Sequence, residues 1–449
     1  MRKVFNFIAT WWVIIYCNSR MAEYLPSYNY ANIFSFPREV RIIELLILIV
    51  LYLKLLGNSV SKEINKINIY LIIFIIISLL SLFFNGRFSL SGVQEIYIRI
   101  VPFIFFVIAV KIGVSERDLK RAISIFSFVL ILSTVFAIFY QIPFFGFHED
   151  SITGFFSDAH VFGTILGIIS IVCFIDYINY GYRLSAIFSF TILLFSNYPK
   201  NEKIVALNVL AIITLLLFHI LSQLSSVKKY LVISTLFISL LFFYPYAENY
   251  LLGPDSNSRY ISLVEFGIES FGPIIAWPMA WDTISESIKS SLLGVGAGEY
   301  GWITAGRNVA MGAGSKHSKV FDLEFAPDNI NNSGFLFRTN TWSSLLAEFG
   351  LLGFINFLVI LNLIVIGVSK YKTQSRFEKN IKATFYIILM LIIFQGSFTP
   401  YTNWSESVLM FPMMYIAAFI FTKQNTQKML ENQNELLTNE FTPKSHYMF

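Results

Sequence analysis

The sequence has 449 residues, of which 55% are hydrophobic and 14% are charged, and its formal net charge is +5 at pH 7. An average soluble domain carries about 25% charged residues, so this composition excludes an ordinary soluble protein. It also excludes a nucleic-acid-binding protein, because no basic stripe with interleaved aromatic residues stands outside the apolar runs. The two cysteines, Cys17 and Cys173, lie far apart within apolar runs, so we predict neither a disulfide nor a metal site from them.

Apolar runs recur along most of the chain, at lengths close to the roughly 20 residues that a helix needs to cross a bilayer. Backbone polar groups in hydrocarbon must be hydrogen-bonded within the protein, which favours helices for these runs. The sequence therefore predicts an all-α polytopic integral membrane protein with about 12 transmembrane helices. The predicted spans are residues 4–18, 41–57, 67–84, 97–113, 119–140, 158–179, 183–198, 202–222, 229–247, 343–369, 381–398 and 405–422.

Basic residues cluster in alternate connectors between these spans. By the positive-inside rule these connectors face the cytoplasm, so we expect both termini to be cytoplasmic. Four regions follow: helices 1–9 over 1–247, a large outer loop with short amphipathic helices over 248–342, helices 10–12 over 343–422, and a polar tail over 423–449. The low apolar content of the tail predicts disorder. The basic residues behind this orientation are Lys62, Lys66, Arg117, Lys120, Arg121, Lys228, Lys229, Lys370, Lys372, Arg376, Lys379, Lys382 and Lys423.

Three cations fall on the predicted outer side. Lys200 and Lys203 stand at the turn between the seventh and eighth spans, and Arg259 follows a Ser/Asn-rich turn at the start of the large loop. A guanidinium forks around phosphate oxygens, which makes Arg259 a candidate anion ligand. Snorkelling of the lysines and contact of the arginine with lipid headgroups are the alternatives, but cations on the outer side oppose the positive-inside trend and favour a role with an anion.

The large loop contains Trp277-Pro278, a pair typical of a helix start because proline suits the first helical turn. A short amphipathic helix is predicted over Met279–Lys289, lying on the outer leaflet. Trp277 and Trp281 are four residues apart and share one helix face. That face is either an interfacial anchor or a platform on which sugars stack.

A glycine cluster, Gly294-Val295-Gly296-Ala297-Gly298, follows this helix. It lacks the preceding strand that a dinucleotide-binding motif requires. We therefore predict a turn that closes the short helix and lets the backbone approach another segment closely. Glu348, near the outer end of the tenth span, is an ionisable group in a membrane segment and so a functional candidate, with plain solvation at a shallow depth as the alternative. No two of the five histidines have metal-ligand spacing.

These features together resemble the O-antigen polymerase and O-antigen ligase superfamily. The resemblance rests on the Gly-x-Gly-x-Gly cluster after a tryptophan-bearing helix, on Asn340, and on Ala-Glu-Phe-Gly-Leu-Leu-Gly over 347–353. It also rests on the segment Gly-Phe-Phe-Ser-Asp-Ala-His over 154–160, which opens the sixth span, and on the layout of about twelve spans with one large loop between the ninth and tenth.

The resemblance implies a metal-independent and cofactor-free glycosyl transfer at the periplasmic face of a bacterial inner membrane. A sugar hydroxyl attacks a glycan carried on undecaprenyl pyrophosphate, and the pyrophosphate leaves. Charge on the leaving group is stabilised by preorganised cations. The expected partners are this lipid-linked oligosaccharide, membrane lipids and a chain-length regulator protein, with no nucleic acid. The expected site residues are Arg259, Glu348 and His317 for catalysis, Arg259, Lys200, Lys203 and Arg338 for the pyrophosphate, and Trp277, Trp281, Asn340 and Trp342 for the glycan.

Two departures from the family pattern bear on the activity. Ligases of the family show His-Asn before the tenth span, whereas this chain has Thr339-Asn340 after Arg338. Threonine cannot act as a general base near neutral pH, which favours a polymerase over a ligase. Lysines also stand at 200–203, where relatives present an arginine. A lipid-linked oligosaccharide flippase is the alternative from another class, and the concentration of polar residues in one outer loop argues against it.

Overall fold

The structure is a computed structural model of the full chain. It describes residues 1–18, 38–55, 57, 61–85, 90–141, 165–166, 169, 272–300, 341–398 and 402–441. The regular structure within these ranges is entirely helical, which confirms the predicted all-α character for the described part of the chain. The predicted spans over 158–179, 183–198, 202–222 and 229–247 lie outside the described residues, apart from three positions of the first.

A helix is found at each of the eight predicted spans that fall on described residues, and two short helices lie within the predicted loop. The bounds are α1 Arg2–Asn18, α2 Arg38–Leu55, α3 Lys62–Phe84, α4 Leu90–Ile112, α5 Glu116–Phe136 with a π-helical turn over Ala137–Gln141, α6 Gly272–Ser285, α7 Ile288–Leu293, α8 Thr341–Lys370, α9 Arg376–Phe398 and α10 Thr402–Phe441. Three of the helical stretches are long and apolar enough to cross a membrane, namely Lys62–Phe84, Glu116–Tyr140 and Thr341–Lys370.

Helices α3 and α8 form the antiparallel pair that carries the candidate site. At one level the Asn356 side chain of α8 donates to the Tyr70 carbonyl at 2.8 Å, and about three turns further along α3 the Ser81 hydroxyl donates to the Glu348 carbonyl at 2.8 Å. Between these levels the Phe74 ring packs against two rings of α8. Because α3 has 23 residues and a helix rises about 1.5 Å per residue, the pair extends over about 33 Å, enough to cross the apolar layer of a bilayer.

An ionic network closes the end of the bundle at which α3 begins. Arg2 pairs with Asp118 at 2.7 Å, and Lys423 of α10 lies 3.5 Å from Glu116 and 3.4 Å from Glu378. Lys428 pairs with Glu63 at 3.0 Å. The start of α1 and the outward continuation of α10 therefore lie at the same end, together with the starts of α3, α5 and α9, as the charge pattern predicted.

Helix α10 differs from the prediction. The tail from residue 423 was expected to be disordered, but α10 continues through it to Phe441. The sequence explains this continuation, because residues 423–441 contain no glycine or proline and are rich in Gln, Glu, Lys and Leu, which favour helices. The ion pairs of Lys423 and Lys428 hold the first turns of the extension against the bundle.

Helix α6 also begins earlier than predicted. Its first residue is Gly272, so Pro278 lies inside the helix and not at its start. Proline is tolerated inside membrane helices because neighbouring groups can bond the backbone carbonyl that it leaves free. The predicted helix over Met279–Lys289 is interrupted after Ser285, and a separate helix α7 starts at Ile288 with Ser287 as its N-cap.

Candidate functional site

Helix α8 is broken at Gly350, which has φ 64° and ψ −173° within otherwise helical backbone. The break separates a short segment over 341–349 from the long apolar segment that runs to Lys370. Every residue from Thr341 to Gly350 is buried. In membrane proteins, non-helical backbone occurs where it is enclosed by protein or lines a cavity, so the break marks the place where the bundle departs from a plain helical frame.

The glycine cluster packs directly on this break. Gly294, Gly296 and Gly298 all have positive φ angles, and Gly294 ends α7. The Val295 N–H donates to the Ala347 carbonyl at 2.9 Å, and the Gly296 N–H donates to the Glu348 carbonyl at 3.3 Å. This confirms the predicted turn that closes the short helix, and it identifies the break in α8 as the segment that the turn approaches.

The approach is close enough to require glycine on both sides. A Cβ atom at Gly294 would overlap the carbonyl carbon and oxygen of Glu348. A Cβ atom at Gly350 would lie 2.5 Å from the Gly294 nitrogen and 2.5 Å from the carbonyl group of Leu292. Because backbone atoms cannot swing away as side chains do, the two glycines fix the distance between the turn and the broken helix. We call this contact, made by residues 292–298 and 347–350, the glycine joint.

The C-terminal end of α3 is hydrogen-bonded to the glycine joint and to α7. Ser81 donates to the Glu348 carbonyl at 2.8 Å, and the Asn85 side chain donates to the Gly294 carbonyl at 3.3 Å. Lys289 of α7 donates to the Phe84 carbonyl at 2.6 Å. Carbonyl groups that the broken helix and the end of α3 leave without helical partners are thereby bonded, as buried backbone requires.

Glu348 lies at the centre of the joint and its side chain has 0% of its surface exposed. Its Oε1 atom accepts a hydrogen bond from the Tyr300 N–H at 3.3 Å. The interpretation of Glu348 as a plainly solvated residue is therefore wrong, because the half-helix 341–349 is enclosed on all sides. With no exposed surface, the carboxylate holds the backbone of Tyr300, just after the glycine turn, through this hydrogen bond.

Tyr300 is a buried phenol next to this carboxylate, with 3% of its surface exposed. Burial raises its pKa above the ordinary value of 10, and the negative charges of Asp282 and Glu348 raise it further. The phenol is therefore protonated at any physiological pH and can act as a hydrogen-bond donor, but it cannot act as a base.

The three tryptophans expected to bind glycan occupy different surroundings. Trp277 and Trp281 of α6 are partly exposed on one side of the helix, and Trp277 packs edge-on against Phe354 of α8 with ring centroids 6.1 Å apart. Trp342 is buried, its indole N–H donates to the Ile393 carbonyl at 3.3 Å, and its ring packs near Phe357. The ring of Trp342, which is expected from the sequence to bind glycan, therefore fills the core between α8 and α9 and has only 8% of its surface exposed.

Arg99 is a residue that the sequence analysis missed. It lies in α4 within an apolar stretch and is 3% exposed. A charged side chain inside a membrane segment is costly and marks functional or structural sites. The signal that could have found it is present in the sequence, since Arg99 stands among apolar residues of the predicted span 97–113.

The remaining predicted site residues lie outside the described residues. These are Lys200, Lys203, Arg259, His317, Arg338 and Asn340. Within the ranges that the structure describes, no three His, Cys, Asp or Glu side chains are grouped closely enough to hold a metal ion. No family model matches the chain, and a search of curated proteins found no match.

Proposed function

We propose that this chain is a polymerase for a bacterial surface polysaccharide such as an O-antigen, joining lipid-linked oligosaccharide repeat units at the periplasmic face of the inner membrane. The growing glycan, carried on undecaprenyl pyrophosphate, is transferred to a hydroxyl of the next unit. The bond between the anomeric carbon and the pyrophosphate oxygen breaks, a new glycosidic bond forms, and the hydroxyl proton is released. The ionic end of the bundle faces the cytoplasm, and the glycine joint faces the periplasm.

The observation that carries the proposal is the glycine joint itself. The two motifs on which the family resemblance depends are Gly-x-Gly-x-Gly over 294–298 and Ala-Glu-Phe-Gly-Leu-Leu-Gly over 347–353. They lie 53 residues apart, counted from Gly294 to Ala347, yet they bond to each other backbone to backbone. Both glycine motifs are thus explained by one contact, at the end of the bundle opposite the ionic network.

The glycine joint also holds both ends of the segment that contains several candidate site residues. Residues 301–340 leave the joint after Tyr300 and return to it at Thr341, two turns before Glu348. Anchoring both ends of a loop on one rigid support lowers the entropy lost when its side chains bind substrate. His317, Arg338 and Asn340 belong to this segment, and we propose that their side chains contact the lipid-linked substrate.

Catalysis in this proposal depends on cations more than on a protein base. A pyrophosphate leaving group gains negative charge as its bond to the sugar breaks, and guanidinium and ammonium groups placed beforehand stabilise that charge. Arg259 is the principal candidate, with Lys200, Lys203 and Arg338 as further ligands and His317 as the remaining candidate base. Glu348 positions the glycine turn, Trp277, Trp281 and Asn340 contact the glycan or its lipid surroundings, and a chain-length regulator is the expected protein partner.

The test is the banding pattern of surface glycan in the source bacterium after deletion of this gene. Core carrying a single repeat unit, with the ladder lost, supports a polymerase. Naked core with long chains retained on undecaprenyl would instead show a ligase, and single units trapped on the inner leaflet would show a flippase. An unchanged ladder refutes the proposal.

Complementation with variants then tests the cation. Arg259→Ala should insert normally and fail to restore the ladder. Arg117→Ala is the matched control, because Arg117 is an exposed arginine next to Asp118 of the ionic network, and its loss removes the same charge. A ladder restored equally by both variants would remove Arg259 from the mechanism.

A further inference from the structure

Helices α6 and α7 carry a large apolar surface that no described part of the chain covers. Ile288 is 81% exposed and Trp281 is 54% exposed, and at the end of α3, next to α7, Phe83 is 77% exposed. Single exposed apolar residues are ordinary on protein surfaces, whereas contiguous patches of large ones mark a binding surface. The further exposed members of this patch are Trp277, Leu292 and Phe84.

This patch is continuous with the surfaces of two helices that are apolar and long enough to cross a membrane. Lys289 of α7 bonds to the Phe84 carbonyl of α3 at 2.6 Å, so α7 lies against the end of that helix. Trp277 of α6 packs on Phe354, one turn beyond the break in α8. Leu352 and Ile355, on the same stretch of α8, are exposed as well.

Helix α6 divides its surface as an interfacial helix does. Ala280 and Ile284 are buried against α8 in a small core with Leu346 and Ala347. Asp282 is exposed and lies on the side of α6 away from this core. Each residue turns about 100° around the helix axis, so Asp282 is about 160° around the axis from Ile284. Trp277 and Trp281 are exposed between the buried and acidic sides, where aromatic rings at membrane surfaces are typically found.

We infer that α6, α7 and the end of α3 form a membrane-embedded shelf, whose partner is the bilayer leaflet at this end of the bundle. Acyl chains and headgroups contact the patch around Ile288, while Asp282 faces water. The predicted loop over 248–342 is then not wholly aqueous, and the glycine joint lies at the level of the lipid headgroups. This inference does not depend on glycosyl transfer, and it favours the anchor interpretation of Trp277 and Trp281.

Spin labels at two matched positions test the shelf. Ile288→Cys and Asp282→Cys are both exposed sites, six residues apart, and each is introduced into full-length protein in which Cys17 and Cys173 are replaced by serine. The labelled protein is placed in phospholipid nanodiscs, and collision of the label with oxygen and with a water-soluble nickel chelate is measured. We expect the label at 288 to collide at least several-fold more with oxygen than with the chelate, and the label at 282 to show the reverse.

Either of two results would overturn the inference. A label at 288 that is open to the nickel chelate would show an aqueous surface, and a label shielded from both reagents would show a protein partner. If Ile288→Cys is not monodisperse, Leu292→Cys on the same patch replaces it with the same expected result. Neither measurement needs a substrate, so failure of the shelf is distinguishable from failure of the proposed polymerase activity.

Discussion

Substitution of Gly294 by alanine tests whether the glycine joint holds the outer end of the bundle together. Gly294 has φ 75° and ψ −172°, a conformation that is nearly restricted to glycine and costs a residue with a Cβ about 1–3 kcal/mol. The new Cβ would also overlap the backbone of Glu348, and forcing extra atoms into a packed region costs a further ~1–3 kcal/mol. Together these effects amount to about 2–6 kcal/mol, a large share of the ~5–15 kcal/mol that stabilises a typical folded domain.

Two other glycines separate these costs. Gly113 has φ 77°, but the nearest atom to its added Cβ, in Thr422, is 3.8 Å away, so Gly113→Ala should show only the left-handed cost of about 1–2 kcal/mol. Gly57 has no atom within 4 Å of an added Cβ and no positive φ, and Gly57→Ala should stay within about 0.5 kcal/mol of wild type.

The assay is thermal unfolding of the full-length protein in detergent, followed by loss of the monodisperse peak in size-exclusion chromatography. We expect melting temperatures to fall in the order wild type and Gly57→Ala, then Gly113→Ala, then Gly294→Ala. If Gly294→Ala and Gly113→Ala had the same melting temperature, the overlap with Glu348 would be relieved without cost. The close backbone contact would then have no role in stability.

Three further predictions concern single side chains. Glu348→Gln keeps an oxygen that can accept the Tyr300 N–H, so polymer synthesis should fall less than tenfold with an unchanged pH profile, whereas loss of a general base would cost about 100-fold or more. Burial opposes ionisation of Glu378, but hydrogen bonds from the Gln374 N–H and Tyr371 and the charge of Lys423 outweigh burial and lower the pKa of this carboxyl. The ionised carboxylate therefore stabilises the fold above the unfolded pKa near 4.3, and this stability is lost as pH falls through the folded pKa. Glu378→Gln should flatten the acid side of a plot of melting temperature against pH. Trp342→Ala should lower the free energy of unfolding by about 3–5 kcal/mol. Trp342→Phe should lower it by about 1 kcal/mol, because one hydrogen bond is lost. If either variant lost polymer synthesis without a change in melting temperature, Trp342 would have a glycan-binding role.

The sequence predicts the described apolar helices well, because each of them can be recognised from its own residues. A long apolar run between basic connectors requires no knowledge of neighbouring segments, and the helices over Lys62–Phe84 and Arg376–Phe398 lie close to their predicted spans. The common end of the basic connectors was predictable for the same reason, since charge placement is a property of each connector by itself.

The surroundings of Glu348 could not be predicted in this way. Hydropathy places this residue near the end of a continuous span, where water could reach it. Its burial depends on the break at Gly350, and the break depends on the backbone of Gly294, far away in the sequence. A single glycine in a helical run is compatible with an unbroken helix at a cost of about 1 kcal/mol, so the local sequence does not distinguish the two outcomes.

The same comparison explains which predictions about the large loop were useful. The glycine cluster was correctly interpreted as a turn that approaches another segment, because three glycines in five residues indicate backbone without room for side chains. The cluster does not say which segment it approaches. The reciprocal overlap at Gly294 and Gly350 supplies that partner, and it means that neither glycine can change alone. The resemblance motifs over 294–298 and 347–353 are therefore best understood as two halves of one structural support, and the chemistry proposed for this end of the bundle belongs to the side chains that the support holds.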